Sequence, residues 1–265
     1  MNRLAVVTGA TGGIGIQLCR LLARNGYDLL ITGRSEDRLR MLANELKALQ
    51  SIEVNYLAGD LSDPEFRGRL FEMAPGTPSV LINNAGFGGN SAFPNVDVDV
   101  ETRMILTHCL ASMRLSRAAL VPMKARGLKR DAGYVVNVAS IAGFLAGKGA
   151  ADYCATKAYL ISFSKCLQCD ARNFGVRVQA LCPGFANTEF HDSETMRNSN
   201  IKQIYPEIIW QRADKVVDAS LRSLRRRFRP NVVCIPTVFY KLAWFFGASS
   251  IFAPLRILFS RGAVR

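Results

Sequence analysis

The chain has 265 residues, 49% of them hydrophobic, which is enough to bury one sizeable core, and nothing in it marks a linker between domains. Its 34 Lys and Arg against 21 Asp and Glu leave a formal charge of +13, which suits anionic partners such as phosphorylated cofactors, acyl carriers, membranes or nucleic acid without choosing among them. The 7 cysteines, an odd number spread through apparently regular segments, argue against a disulfide framework and for reduced thiols in a cytoplasmic setting.

The first stretch, "MNRLAVVTGA", has a positive charge and a short apolar run that ends in glycines instead of a small-residue cleavage site, so it reads as a strand and not as a signal peptide. Further short apolar runs follow the first at 4–8: about 28–32, 52–57, 79–82, 133–138, 176–182 and 231–235. They alternate with helical patterns at about 14–25, 36–49, 63–73, 99–126, 151–173 and 213–228. Seven buried strands joined by helical crossovers predict an α/β, doubly wound parallel sheet with helices on both faces, in one domain over 1–265. Ligands of such sheets gather beyond the carboxyl ends of the strands. The first strand-to-helix turn, "VVTGATGGIGIQL" at 6–18, fits that place. There Gly9, Gly13 and Gly15 permit a tight turn and let a pyrophosphate approach the backbone amides at the positive end of the next helix.

The spacing Thr8-Gly9-x-x-x-Gly13-x-Gly15 resembles the cofactor motif of the classical short-chain dehydrogenase/reductase family, whose fold is of the Rossmann type. The resemblance continues in family order through "GDL" at 59–61, "NNAG" at 83–86, "NVAS" at 137–140, "YCATK" at 153–157 and "PGFANT" at 183–188. It implies a catalytic set of Ser140, Tyr153 and Lys157. It further implies that Thr11 and Ile14 of the glycine turn, and Asn84, Ala85 and Gly86, line the cofactor path. Asp60 and Leu61 flank the adenine, Lys157 binds the nicotinamide ribose, and Pro183, Gly184 and Thr188 lie beside the nicotinamide and phosphates. Asn83 is expected to tie strands together instead. Four residues apart on a helix, Tyr153 and Lys157 share a face, and an ammonium there should lower the phenol's pKa so that it serves as acid or base, with Ser140 bonding the same substrate oxygen.

Cofactor choice is read after the second strand, in "LLITGRSEDRL". An NAD site places an acid at that strand's end, whereas Gly33 stands there and Arg34 follows, which suits the 2′-phosphate of NADP(H), with Ser35 and Arg38 assisting. One position departs from the family pattern. Set against "RAALVPM" at 117–123, His108 occupies the place of the asparagine that completes the usual tetrad and whose helix distortion exposes a carbonyl for a proton relay. Activity is expected to survive, with His108 a candidate relay because histidine titrates near neutral pH.

The remaining features are less specific. Cys166 and Cys169 form a CxxC without the second pair or histidines that zinc needs, so they are expected to be buried helix thiols and no metal is expected. A lid at about 189–212 mixes polar and aromatic residues, and Phe144, Leu145, Phe185, Phe190, Ile204, Tyr205, Ile208 and Ile209 are candidates to line a pocket for a lipophilic small molecule such as a 3-oxoacyl, steroid or retinoid-like compound. The apolar and basic extension at about 236–265 contains no clean span of about 20 apolar residues for a transmembrane helix. It could lie peripherally on an anionic membrane, complete a pocket mouth or form a subunit interface. The arginine run 221–230 has no recognition motif and no stacking aromatic beyond Phe228, so no nucleic-acid partner is expected. The resemblance implies a homodimer or homotetramer. The expected protein is an NADP(H)-dependent oxidoreductase, with an NADPH-binding regulatory or assembly protein as the alternative.

Overall fold

Strands and helices alternate along the chain: β1 (Arg3–Thr8), α1 (Gly13–Arg24), β2 (Tyr27–Gly33), α2 (Glu36–Leu49), β3 (Val54–Ala58), α3 (Pro64–Glu72) and β4 (Val80–Asn83). After β4 come α4 (Val98–Ile105), α5 (Ser112–Ala125), β5 (Gly133–Val138), α6 (Ala151–Ala171), β6 (Val176–Leu181), β7 (Ala186–Asn187), β8 (Gln211–Arg212), α7 (Ala213–Leu224) and β9 (Val233–Cys234). The structure, a computed structural model, describes residues 3–74, 76–89, 91–126, 133–192, 195–196, 205–225 and 231–242. Ile204, the arginines of 226–230 and most of the C-terminal extension, 243–265, lie outside the described residues. Among the described residues no helix is long and apolar enough to cross a membrane.

Seven strands form one parallel sheet in the order β3-β2-β1-β4-β5-β6-β9. The chain winds outward from β1 to β3 and returns to β4 on the other side of β1, so the crevice between β1 and β4 is the switch point where such sheets take ligands. Alternation within β1 divides the core. Ala5 and Val7 face α1, α2 and α7 through Leu18, Leu42 and Val216, while Leu4 and Val6 face α3 and α5 through Phe66, Leu115 and Met123. Both faces being covered explains why the strands read as unbroken apolar runs.

A polar ladder crosses this core. Asn83 and Asn137 are register partners on β4 and β5, and Asn83 Nδ2 donates to Asn137 Oδ1 at 2.8 Å and to Ser116 Oγ at 3.1 Å. Asn137 Nδ2 donates to Ser164 Oγ at 2.8 Å, and Ser164 donates on to the Leu160 carbonyl. Asn83 thus ties strands together, as its place in the sequence suggested.

Two expectations are corrected. The helical pattern over 99–126 is not one helix: Leu106–Ala111 forms a π-helical turn between α4 and α5. Such single-turn π segments recur at functional sites. Cys166 and Cys169 are exposed, not buried, because they lie on the outward face of α6 while Leu160, Ile161 and Ser164 turn inward.

Candidate active site

The glycines of the first turn are dictated by contact. Gly9 has φ +61°, and a Cβ on it would come within 2.7 Å of Ala85 Cα; one on Gly15 would come within 2.2 Å of the Gly9 carbonyl. The turn is pinned to β4 by Thr8, whose hydroxyl accepts from the Asn84 and Ala85 amides at 3.0 Å each, while Asn84 Nδ2 donates to the Thr8 and Gly9 carbonyls. Gly13 faces Thr188 of the loop after β6, whose Cγ2 lies 2.4 Å from where a Cβ would stand. Gly9, Gly13, Gly15, Asn84, Ala85 and Thr188 therefore converge at the switch point.

At the end of β2, Gly33 leaves room for the Thr11 side chain, 3.1 Å from its missing Cβ. Arg34 is exposed, and among the described residues its side chain makes no hydrogen bond or ion pair. Ser35 caps α2 by accepting from the Arg38 amide at 3.4 Å. Arg38 Nη2 donates to the Thr11 carbonyl at 2.9 Å and to Glu189 Oε2 at 2.6 Å. Asp60 Oδ1 accepts from the Ser62 amide and Leu61 is buried, while Gly59 makes way for Phe66.

Ser140 follows β5 by two residues and caps a short 3-10 turn, Ile141–Phe144, that packs on α6 through Gly143, where a Cβ would come within 2.7 Å of the Lys157 backbone. That packing delivers Ser140 to the Tyr153 side, where its hydroxyl accepts from the Ala142 amide at 3.1 Å and helps to hold the Tyr153 pKa down. Lys157 is buried, its Nζ donating to the Val138 carbonyl at 2.9 Å and lying 5.6 Å from the centroid of the Tyr153 ring. Burial pushes the Lys157 ammonium down to about 8. Burial also pushes the Tyr153 phenol up to about 12, opposed by the Ser140 hydrogen bond. This departs from the expectation that Lys157 would draw the phenol toward neutrality: the ammonium is spent on a backbone carbonyl and faces the ring. Burial accordingly favours the protonated, phenol form of Tyr153.

His108 sits in the π turn, fully buried. The Phe87 amide donates to its Nε2 at 3.1 Å, which leaves the ring proton on Nδ1, 2.9 Å from Thr156 Oγ1; the Thr156 hydroxyl donates in turn to the Tyr153 carbonyl at 3.0 Å. Gly86 is required here, since a Cβ would meet Nε2 at 2.6 Å. Burial first, and the Lys157 charge second, hold the His108 pKa well below 6.5. Instead of a group titrating near neutrality, His108 is a neutral brace between the β4 loop and the helix that carries Tyr153.

The described residues of the segment expected to form a lid, with Phe185 before it, form an aromatic cluster. Phe190 lies 6.0 Å from Tyr153, and Phe185 packs on Tyr205 at 4.7 Å and Trp210 at 5.3 Å, ring centroid to ring centroid. Phe144 and Phe185 also rest on the core patch of Leu160, Ile161 and Tyr240. Ile208 is 92% exposed and is directed to solvent by the short turn Glu207–Ile209 instead of lining a pocket, while Leu145 is 46% exposed. Tyr240 holds the lid base: its hydroxyl accepts from the Phe185 amide at 3.1 Å and donates to the Ile209 carbonyl at 3.0 Å, with its ring against Gly184. The Pro183 carbonyl accepts from the Ile141 amide, joining this loop to the Ser140 turn. Phe87, Glu189 and Tyr240 were not singled out as site residues from sequence. Thr156 lay inside "YCATK" and could have been, as the residue one helical turn from Tyr153.

Comparison with known proteins agrees with this geometry. Residues 3–198 match a family model described as short chain dehydrogenase. A 3-oxoacyl-[acyl-carrier-protein] reductase FabG of Rickettsia felis is 31% identical over 205 residues, 77% of this chain and 81% of that one. Among solved structures, a short-chain dehydrogenase from Sphingobium yanoikuyae in complex with NADPH superposes with a TM-score of 0.79 at 27% identity, covering 99% of this chain and 96% of that chain. The bulky-bulky ketone specific alcohol dehydrogenase of Comamonas testosteroni does so at 0.76 and 25%, covering 99% and 95%. With its family model spanning most of the sequence and its serine, tyrosine and lysine brought together at the switch point, the chain belongs to the short-chain dehydrogenase family of oxidoreductases.

Proposed function

We propose that this chain uses NADP(H) to interconvert a carbonyl and a secondary alcohol on a lipophilic substrate, as one domain over 1–265 working in a homodimer or homotetramer. The observation that carries the reading is the Ser140–Tyr153–Lys157 set beside a glycine cradle at the β1/β4 crevice. The cradle suits a dinucleotide, because Gly9 and Gly15 leave no side chain between the backbone and a pyrophosphate, and Arg34 is exposed at the end of β2. Arg34 and Ser35 would hold the 2′-phosphate, Asp60 and Leu61 would flank the adenine, and Lys157 would bind the nicotinamide ribose. Ile14, Gly86, Pro183 and Gly184 would complete the cofactor path. When bound, the cofactor supplies or accepts the hydride.

This chain's own residues handle the proton. In reduction Tyr153, held as a phenol, donates its proton to the developing alkoxide while Ser140 hydrogen-bonds the same oxygen; oxidation runs the transfer in reverse. The aromatic lid against Tyr153 excludes water and favours an apolar substrate. A 3-oxoacyl group or a bulky ketone is the favoured class, in keeping with the activities for which the Rickettsia and Comamonas proteins are named. The test is NADPH consumption against a panel of acyl thioesters, steroid ketones and small diketones, comparing the native chain with Tyr153→Phe. Turnover that disappears in Tyr153→Phe supports the reading, and NADPH binding without turnover on any panel member refutes it. Arg34→Ala should weaken NADPH far more than NADH, and equal losses would reject the cofactor assignment.

A further inference from the structure

Arg38 joins three segments that are distant in sequence. It stands on the first turn of α2, and one terminal nitrogen reaches both the Thr11 carbonyl of the glycine turn and the Glu189 carboxylate at the start of the lid, at 2.9 and 2.6 Å. Thr11 in turn packs its side chain against Gly33, immediately before Arg34. The residue preceding Glu189 is Thr188, which covers Gly13. The lid thus delivers a carboxylate to the side of the crevice where Arg34 and Arg38 gather. The acid nearest on the helix itself, Asp37, is taken by Arg40 at 2.6 Å, so Arg38 draws its counter-charge from the lid.

We infer that Glu189 is a built-in competitor for the ribose 2′-phosphate, setting both the affinity for NADPH and its preference over NADH. The inference rests on the cofactor reading above. A 2′-phosphate must share or displace the carboxylate on Arg38, whereas a 2′-hydroxyl makes no such demand. Exchange also ties cofactor entry to the lid, because a phosphate that takes Arg38 releases the residue next to Thr188. The ion pair is half-open to solvent, with Arg38 49% and Glu189 71% exposed, so its grip is weak and exchange is easy. An exposed pair of this kind corresponds to about a two- to fivefold effect on binding.

The experiment titrates the full chain with NADPH and with NADH, followed by the fluorescence of the reduced nicotinamide, at low and at high salt. Glu189→Gln is expected to tighten NADPH about two- to fivefold while leaving NADH unchanged. The gain should shrink at high salt and vanish when Arg38→Gln is present in the same chain. A loss or no change in NADPH affinity, an equal gain for both cofactors, or a gain that persists with Arg38→Gln overturns the inference. A native chain that binds NADH as tightly as NADPH overturns the cofactor reading itself, and this inference with it.

Discussion

His108 offers a prediction in which stability and catalysis separate. Its ring is fully buried, accepts from the Phe87 amide and faces Thr156. Replacing it by Ala leaves the Phe87 N–H without its acceptor, about 1–3 kcal/mol, and opens a hole beside Gly86, for a total of roughly 3–5 kcal/mol. For a chain of this size that lowers Tm by on the order of 10 °C. The pH dependence is more telling. Because the folded pKa lies well below the ordinary 6.5, the unfolded chain binds a proton that the native state refuses. Stability therefore rises with pH up to about 6.5 and falls below it, by up to about 1.4 kcal/mol per pH unit from this residue. His108→Asn removes that slope while keeping a hydrogen-bonding side chain. Urea unfolding of both proteins between pH 5 and 8 measures the difference, and the two curves should converge as the pH falls. Parallel loss of stability in the two proteins would refute the argument for a neutral brace. So would a pH–rate profile whose limb near neutrality disappears in His108→Asn, since a relay and not a brace would then be at work.

Three other outcomes are expected. Lys157, depressed to about 8, keeps its charge below that value and loses it above, so the rate of reduction should decline as pH rises through about 8, read from the alkaline limb of kcat against pH. Gly9→Ala forces a side chain into φ +61° against the Ala85 backbone and should cost about 2 kcal/mol or more together with measurable NADPH affinity, checked by unfolding and fluorescence titration. Tyr240→Phe deprives the Phe185 amide of its acceptor, and hydrogen exchange at that amide should quicken by about tenfold or more, corresponding to about 1–3 kcal/mol, while exchange in β1 stays unchanged.

The parts of the molecule legible in the sequence are those governed by local pattern. Strands such as Val80–Asn83 are buried on both faces, so their apolar runs stood out, and the glycine turn could be placed because only a missing Cβ lets Gly9 approach Ala85. Ser140, Tyr153 and Lys157 were found through the resemblance of "NVAS" and "YCATK" to the family motifs, and the structure brings them together. What escaped depends on contacts between distant segments. The π turn at Leu106–Ala111 barely disturbs helical periodicity, and the neutrality of His108 comes from its burial in the assembled fold and from the charge of Lys157, 49 residues away. Likewise the lysine's hydrogen bond to the Val138 carbonyl and the burial that keeps Tyr153 a phenol are set by how β5 meets α6 and not by the four-residue interval. Ile208 read as pocket lining because hydropathy does not reveal which way a short turn points.

The ladder of Asn83, Asn137, Ser116 and Ser164 has a consequence for how the chain finds this arrangement at all. Apolar strands covered on both faces are nearly interchangeable from one residue to the next, so packing alone leaves β4 and β5 free to slide past each other. The facing amides remove that freedom. A shift by one residue would swap faces and set Asn83 against Val136 or Val138, stranding two amides in hydrocarbon at about 1–3 kcal/mol for each lost partner. The two asparagines thus act as an alignment pin, and β4 and β5 can close in only the one position that brings Ser140 level with the glycine turn.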